Sequence, residues 1–149
     1  MLIFTDGACS QNGTWNGGWS YCVVSADNEL LYSKSGFEKN TTNNRMELTA
    51  VVESLKWARK NKVSNFTIVT DSAYISNCFK NKWYKTWKSN GWLTSKKEPV
   101  KNRDLWEYVI SGCEDLSATV IKTKGHSNDE WNNYVDREAV KASKSGGDN

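Results

Sequence analysis

Residues 2–36 read LIFTDGACSQNGTWNGGWSYCVVSADNELLYSKSG, and this stretch decides what kind of domain the chain can form. Leu2-Ile3-Phe4-Thr5 is a short apolar run closed by Asp6, the pattern of a strand. Trp19 to Ser25 is a second strand, with Tyr21 and Val23 on one face and Cys22 and Val24 on the other. Asp27-Asn28 makes a turn, and Leu30 to Gly36 returns as a third strand. Between the first two strands, Gly7 to Gly18 is a turn-rich loop carrying Asn12-Gly13 and Gly17-Gly18. Three strands joined this way pair antiparallel.

Beyond residue 40 the period changes. Leu48, Val51, Val52, Leu55 and Ala58 mark the apolar stripe of a helix, with Asn43 as its N-cap and Glu47 in its first turn. Phe66 to Thr70 reads as a buried strand ending at Asp71, and Ser72 caps a helix through Ile75 and Phe79. A short helix carries Trp83 and Trp87, followed by a loop around Gly91 and Pro99. Leu105, Trp106, Val109 and Ile110 mark the next helix, Ala118 to Lys122 a last strand, and Trp131, Tyr134, Val135, Ala139 and Ala142 a final helix. The expectation is one α/β domain over residues 1–142 built on a mixed sheet, with 143–149 a flexible polar tail.

Composition narrows the function classes. The 149 residues are 38% apolar and 25% charged, which fits a soluble globular domain with one sizeable core. No run approaches the ~18 apolar residues of a membrane span, and the acidic first residues are unlike a signal peptide. A cytoplasmic protein is therefore expected. Cys9, Cys22, Cys78 and Cys113 lie far apart, so they read as reduced thiols and make no zinc signature with the one histidine. Net charge is only +3, but residues 80–103 hold eight basic residues against one acid. That local +7 leaves the rest of the chain at −4. Trp83, Trp87 and Trp92 lie inside this basic stretch, the composition of a surface that holds phosphates and packs on sugars or bases.

Four acids stand in contexts suited to chemistry: Asp6, Glu47, Asp71 and Asp136. Each has an ordinary reading as well. Asp6-Gly7 is a common turn dipeptide, Asp71-Ser72 a common helix start, Glu47 a favourable charge near a helix N-terminus, and Asp136 a solvated helix position. Should folding bring them together, they could not all remain unpaired anions. Two charges ~4 Å apart repel by about 4 kcal/mol at an effective dielectric of about 20. Protons or divalent cations must then fill the gap, and hard oxygen ligands suit magnesium or manganese.

The flanking residues give these acids a family. Phe4-Thr5-Asp6-Gly7, Thr42-Asn43-Asn44-Arg45-Met46-Glu47-Leu48, Thr70-Asp71-Ser72, Lys124-Gly125-His126-Ser127 and Val135-Asp136-Arg137-Glu138-Ala139 occur in an order and spacing that resembles type 1 ribonuclease H. Trp83 to Trp92, with Lys96 to Asn102, resembles the basic protrusion of the bacterial members, here residues 80–103. The resemblance implies a ribonuclease-H-like fold: a five-stranded mixed sheet of order 3-2-1-4-5, its first three strands antiparallel, with helices on both faces. It implies cleavage of the RNA strand of RNA–DNA hybrids without sequence preference, leaving 5′-phosphate and 3′-hydroxyl ends.

Carried over by position, Asp6, Glu47, Asp71 and Asp136 match the family's metal-binding acids, which hold two Mg2+ ions with substrate, Mn2+ being a possible replacement. His126 matches an accessory loop histidine that helps move a proton or release product. Asn12, Asn43 and Asn44 match positions that contact RNA sugars, and Thr42 and Arg45, with Asn12, a pocket for a DNA phosphate. Trp83 and Trp87 match the wall of the DNA channel, with core packing the competing reading for Trp92 and the stronger one for Trp106. Lys85, Lys88, Lys96 and Lys97 would supply salt-sensitive affinity. The partner implied is the hybrid itself, for a monomer with no membrane and no obligate protein partner. Two other readings stay open: a related DNA nuclease or recombinase-like enzyme on the same fold, and a non-catalytic hybrid-binding module.

Overall fold

The computed structural model describes residues 1–10, 15–123 and 130–145. Its elements in chain order are β1 (Leu2–Cys9), β2 (Gly17–Val24), β3 (Leu30–Glu38), α1 (Asn43–Lys60), β4 (Thr67–Thr70), α2 (Ala73–Lys80), α3 (Trp83–Asn90), α4 (Arg103–Leu116), β5 (Thr119–Lys122) and α5 (Glu130–Ser145). The strands form one sheet of order β3-β2-β1-β4-β5. β1 pairs antiparallel with β2, and β2 with β3, whereas β4 runs parallel to both β1 and β5. The expected topology is therefore the observed one.

Alternation along the strands divides the core in two. Ile3, Trp19, Tyr21, Val23 and Ile68 face α1 and α4, where Leu48, Val51, Leu55, Trp106 and Val109 complete the larger cluster. Phe4, Cys22, Val24 and Val69 face the other way and meet Val135 of α5, with Trp131 and Tyr134 alongside. Successive strand residues point to opposite faces, so each buried strand serves both layers. None of the four cysteines forms a disulfide. Among the described residues, no helix is long and apolar enough to cross a membrane.

Several boundaries differ from expectation. β1 runs on to Cys9 because its antiparallel ladder with β2 continues from Asp6↔Ser20 to Cys9↔Gly17. Its parallel ladder with β4 stops at Thr5↔Thr70. The cap of α1 is Thr42, not Asn43: its hydroxyl accepts the Arg45 N–H at 3.2 Å. Asn43 becomes the first helical residue, which moves Glu47 out of the first turn. Ser72 does cap α2, accepting from the Ile75 N–H at 3.2 Å. At the other end α5 continues through Ser145, so residues 143–145 are helix where a tail was expected. Residues 146–149 lie outside the described residues.

Candidate active site

Three chain segments converge where β1 loses its parallel partner. The last paired residues are Thr5 and Thr70, so the ladder sets Asp6 and Asp71 side by side one step beyond it. Both sit at the carboxyl-terminal rim of the parallel strands, where open α/β sheets place ligands. Glu47 arrives from α1, and Gly7 explains how closely. A Cβ at Gly7 would collide with the Met46 carbonyl carbon and the Glu47 nitrogen, so only glycine lets helix and strand touch there. The Gly7 N–H then donates to Asp6 Oδ1 at 2.8 Å and to Glu47 Oε1.

One carboxylate oxygen each from Asp6, Glu47 and Asp71 lies within 4.8 Å of the others. Asp136 reaches the same hollow of about 370 Å³ from α5, on the opposite layer of the sheet. A second glycine permits that approach, since a Cβ at Gly18 would run into the Ala139 carbonyl oxygen and the Ser143 nitrogen. The four acids named from the sequence thus share one hollow. Asn43 and Asn44 stand on its rim, both exposed.

Burial separates the acids by chemistry. Asp6 and Glu47 are buried, whereas Asp71 and Asp136 are exposed. Loss of solvent pushes the Asp6 carboxyl far above the usual carboxylate range, reinforced by its contact with Glu47 and by the charge of Asp71. Glu47 is raised for the same first reason, with Asp71 adding to it while contacts to Asp6 and Gly7 pull the other way. Without a cation the pair therefore holds on to a proton at neutral pH. A set of hard carboxylate oxygens this close is the donor chemistry of a small divalent ion. A larger hollow of about 640 Å³ between α2 and β5 holds lysines Lys80 and Lys122 but no acid, so volume does not mark the site.

Tyr74 belongs to none of the motifs that mark the site in the sequence, yet it lines the acidic hollow. Its position three residues after Asp71, within the first turn of a capped helix, was the available signal.

The basic segment stands on an aromatic foundation. Trp106 is fully buried and meets the edge of Trp87, their ring centroids 5.5 Å apart. Trp87 also contacts Trp92 at 5.7 Å and Trp83 at 6.5 Å. Only Trp83 of this group is broadly exposed, at 41%, and with Trp87 and Leu93 it lines a shallow apolar hollow. Trp92 carries the Arg103 guanidinium over its ring at 5.3 Å. Lys85, Lys96 and Lys97 are exposed. Lys88 is not free, because its ammonium pairs with Glu114 on α4.

Arg45 has partners that its local sequence does not announce. Its guanidinium faces Asp104 and Asn102 of the α4 start, so its charge is already matched. Thr42 uses its hydroxyl as an acceptor in the helix cap. Asn12 and His126 lie outside the described residues.

A five-stranded mixed sheet with carboxylates gathered at the rim of β1 and β4 defines an α/β enzyme of the metal-dependent nuclease class. Comparison with known proteins is specific. The RNase H family model matches residues 1–144. Ribonuclease H of Thermoanaerobacter sp. (strain X514) is 44% identical over 138 residues, covering 93% of this chain and 86% of that one. Ribonuclease H of Syntrophomonas wolfei subsp. wolfei (strain DSM 2245B / Goettingen) is 44% identical over 145 residues, covering 97% of each. Among solved structures, a foamy viral protease–reverse transcriptase in complex with double-stranded DNA superposes with a TM-score of 0.83 at 23% identity. That match covers 95% of this chain and 92% of that one, and it speaks for the fold. The chain belongs to the ribonuclease H family.

Proposed function

We propose that the protein is an endoribonuclease that hydrolyses the RNA strand of RNA–DNA hybrids, with Mg2+ as the metal and 5′-phosphate and 3′-hydroxyl products. One observation carries this reading: carboxylates from β1, α1 and the residue that follows β4 meet within 4.8 Å, and Asp136 of α5 lines the same hollow. A surface that only bound nucleic acid would gain nothing from four anions set against phosphates. Family membership supports the ribonuclease over the related DNA nucleases and recombinases.

Asp6, Glu47, Asp71 and Asp136 would hold the divalent ions, which when bound make water a better nucleophile and neutralise charge on the scissile phosphate. Asp6 is fixed by the Gly7 N–H and shielded by burial, so it presents its oxygens without reorganising. Asp71 and Asp136 are exposed and close the solvent side. On the rim, the Asn43 and Asn44 amides can both donate to and accept from a 2′-hydroxyl, the group that distinguishes RNA from DNA. Trp83 offers a flat wall to the DNA strand, and Lys85, Lys96 and Lys97 offer charge without sequence reading. His126, by resemblance, assists proton movement or product release. The same reading makes the enzyme a cytoplasmic monomer with the hybrid as its one required partner.

A matched cleavage assay tests this. Hybrid, double-stranded RNA and duplex DNA of one sequence are each incubated with Mg2+ and with chelator. The expected result is cutting of the hybrid's RNA strand alone, abolished by chelation. DNA cutting would favour the recombinase-like enzyme, and hybrid retention without cutting the binding module.

A further inference from the structure

We propose that Arg45 is a positioning residue and not a phosphate ligand: paired with Asp104 and Asn102, it sets the pose of Asn43 and Asn44 against the end of the basic segment. This rests on the reading of Asn43 and Asn44 as contacts to the RNA strand.

The guanidinium is committed by geometry. Nη1 donates to Asn102 Oδ1 and to Asp104 Oδ1, each at 3.2 Å, and Nη2 donates to Asp104 Oδ2 at 3.0 Å. Both Nη1 hydrogens and one of Nη2 are therefore engaged. Arginine and aspartate cancel in charge, so the pair adds no net charge to this corner. The Asp104 carboxyl is held below its usual range by the hydrogen bond from Arg45, which fits a formed pair.

Asn102 shows that the strap is anchored. It occupies the cap position of α4 in the left-handed region, at φ 61°, yet its side chain makes no capping bond. An asparagine at a helix start ordinarily caps it. Here its Oδ1 accepts from Arg45, and its Nδ2 donates to the Tyr74 hydroxyl at 3.2 Å. The same hydroxyl accepts the Trp106 Nε1–H at 2.8 Å, and Trp106 is fully buried. A continuous chain of contacts thus runs from the core through Tyr74 and Asn102 to Arg45. It joins the first turn of α1, the first turn of α2 beside Asp71, and Asn102 near the end of the basic stretch.

The pair is partly exposed, at 34% for Arg45 and 66% for Asp104. Exposed ion pairs add little to folding stability, so a geometric role is readable in binding without a large change in melting. Only the planar fork of arginine reaches three acceptor oxygens at once, and lysine keeps the charge without that geometry.

The experiment measures Kd for an RNA–DNA hybrid and for duplex DNA of the same sequence, over a range of salt, in an inactive Asp71→Asn background. Arg45→Lys, Asp104→Asn and their combination are compared with Asn44→Ala. Each strap variant is expected to weaken hybrid binding about threefold to tenfold, a typical loss for one charged contact. The hybrid-over-DNA preference falls, the salt slope stays the same, and the double variant loses no more than either single. Tighter hybrid binding and a steeper salt slope in Asp104→Asn would overturn the proposal, since a freed cation would then be holding a phosphate. Wild-type behaviour of Arg45→Lys, or no change in any strap variant, would overturn it equally. Asn44→Ala separates the two levels: if it lowers the preference while the strap variants do not, positioning alone fails. If Asn44→Ala changes nothing, the reading of the asparagines fails first.

Discussion

The acidic hollow and the basic segment are built on opposite plans. The hollow draws its groups from β1, α1, the turn after β4 and α5, far apart in sequence, and buries two of them against their electrostatic preference. The basic segment is nearly continuous in sequence and keeps its lysines in solvent. Its rigidity comes from beneath, where Trp87 and Trp92 pack down towards Trp106. Chemistry that must be exact in position is assembled from long-range contacts that the whole fold holds in place. Affinity that need only be strong and unspecific rests on local charge. The two regions should therefore respond differently to substitution.

The largest effect is expected at Asp6. Asp6→Asn removes a charged oxygen ligand without changing size, so hybrid cleavage should fall to about one thousandth or less, consistent with several kcal/mol of metal-dependent stabilisation. A single-turnover assay in Mg2+ measures it, and activity within tenfold of wild type would break the contrast with the lysines.

Next come the tryptophans, where one segment divides internally. Trp87→Ala should destabilise the fold by about 2 kcal/mol or more, because its ring bridges the segment to Trp106. Trp83→Ala should change stability by less than about 1 kcal/mol, since the ring is largely exposed, and act on hybrid affinity instead. Denaturant melts beside binding isotherms distinguish the two, and equal destabilisation would mean that Trp83 is part of the foundation.

Smaller still is the effect of each lysine. Neutralising Lys85, Lys96 and Lys97 should flatten the dependence of log Kd on log salt by up to about 0.9 for every phosphate no longer neutralised. Lys88→Gln should do less than any of these, because Glu114 already matches its charge. Single-turnover cleavage at saturating protein should remain near wild type. An unchanged slope in the triple variant would show that the segment does not touch the nucleic acid.

Much of this contrast was legible in the sequence, for definable reasons. Strand alternation at Tyr21, Cys22, Val23 and Val24 assigned both layers correctly, because a period of two leaves no choice of face. The stripe from Leu48 to Ala58 is buried as expected. Trp106 and Trp83 fell at the core and surface extremes expected of them. Partnerships across the chain were hidden instead. Nothing local to Arg45 announces Asp104, and nothing near Lys88 announces Glu114, since both partners lie on α4 and meet them only after folding. The cap of α1 falls one residue before the expected Asn43 because Thr42 and Asn43 are both good caps and local preference does not choose between them. The extension of β1 past Asp6 was masked by the glycine-rich look of a turn.

The account turns on carboxylates that cannot coexist as anions without a cation. Because Asp6 and Glu47 are raised in the folded state, the folded protein keeps protons that the unfolded chain releases above its ordinary carboxylate range. The unfolded state then binds fewer protons, so metal-free stability falls as pH rises from about 4. Mg2+ bound only by the folded state should reverse that loss. The most direct measurement is the melting temperature from about pH 5 to about pH 8, in chelator and in Mg2+, for the wild type and Asp6→Asn. The account predicts a decline with pH in chelator, recovery by Mg2+ at the alkaline end, and a weakening of both in Asp6→Asn. A wild type indifferent to Mg2+ at high pH, or an Asp6→Asn protein that responds as fully, would contradict it.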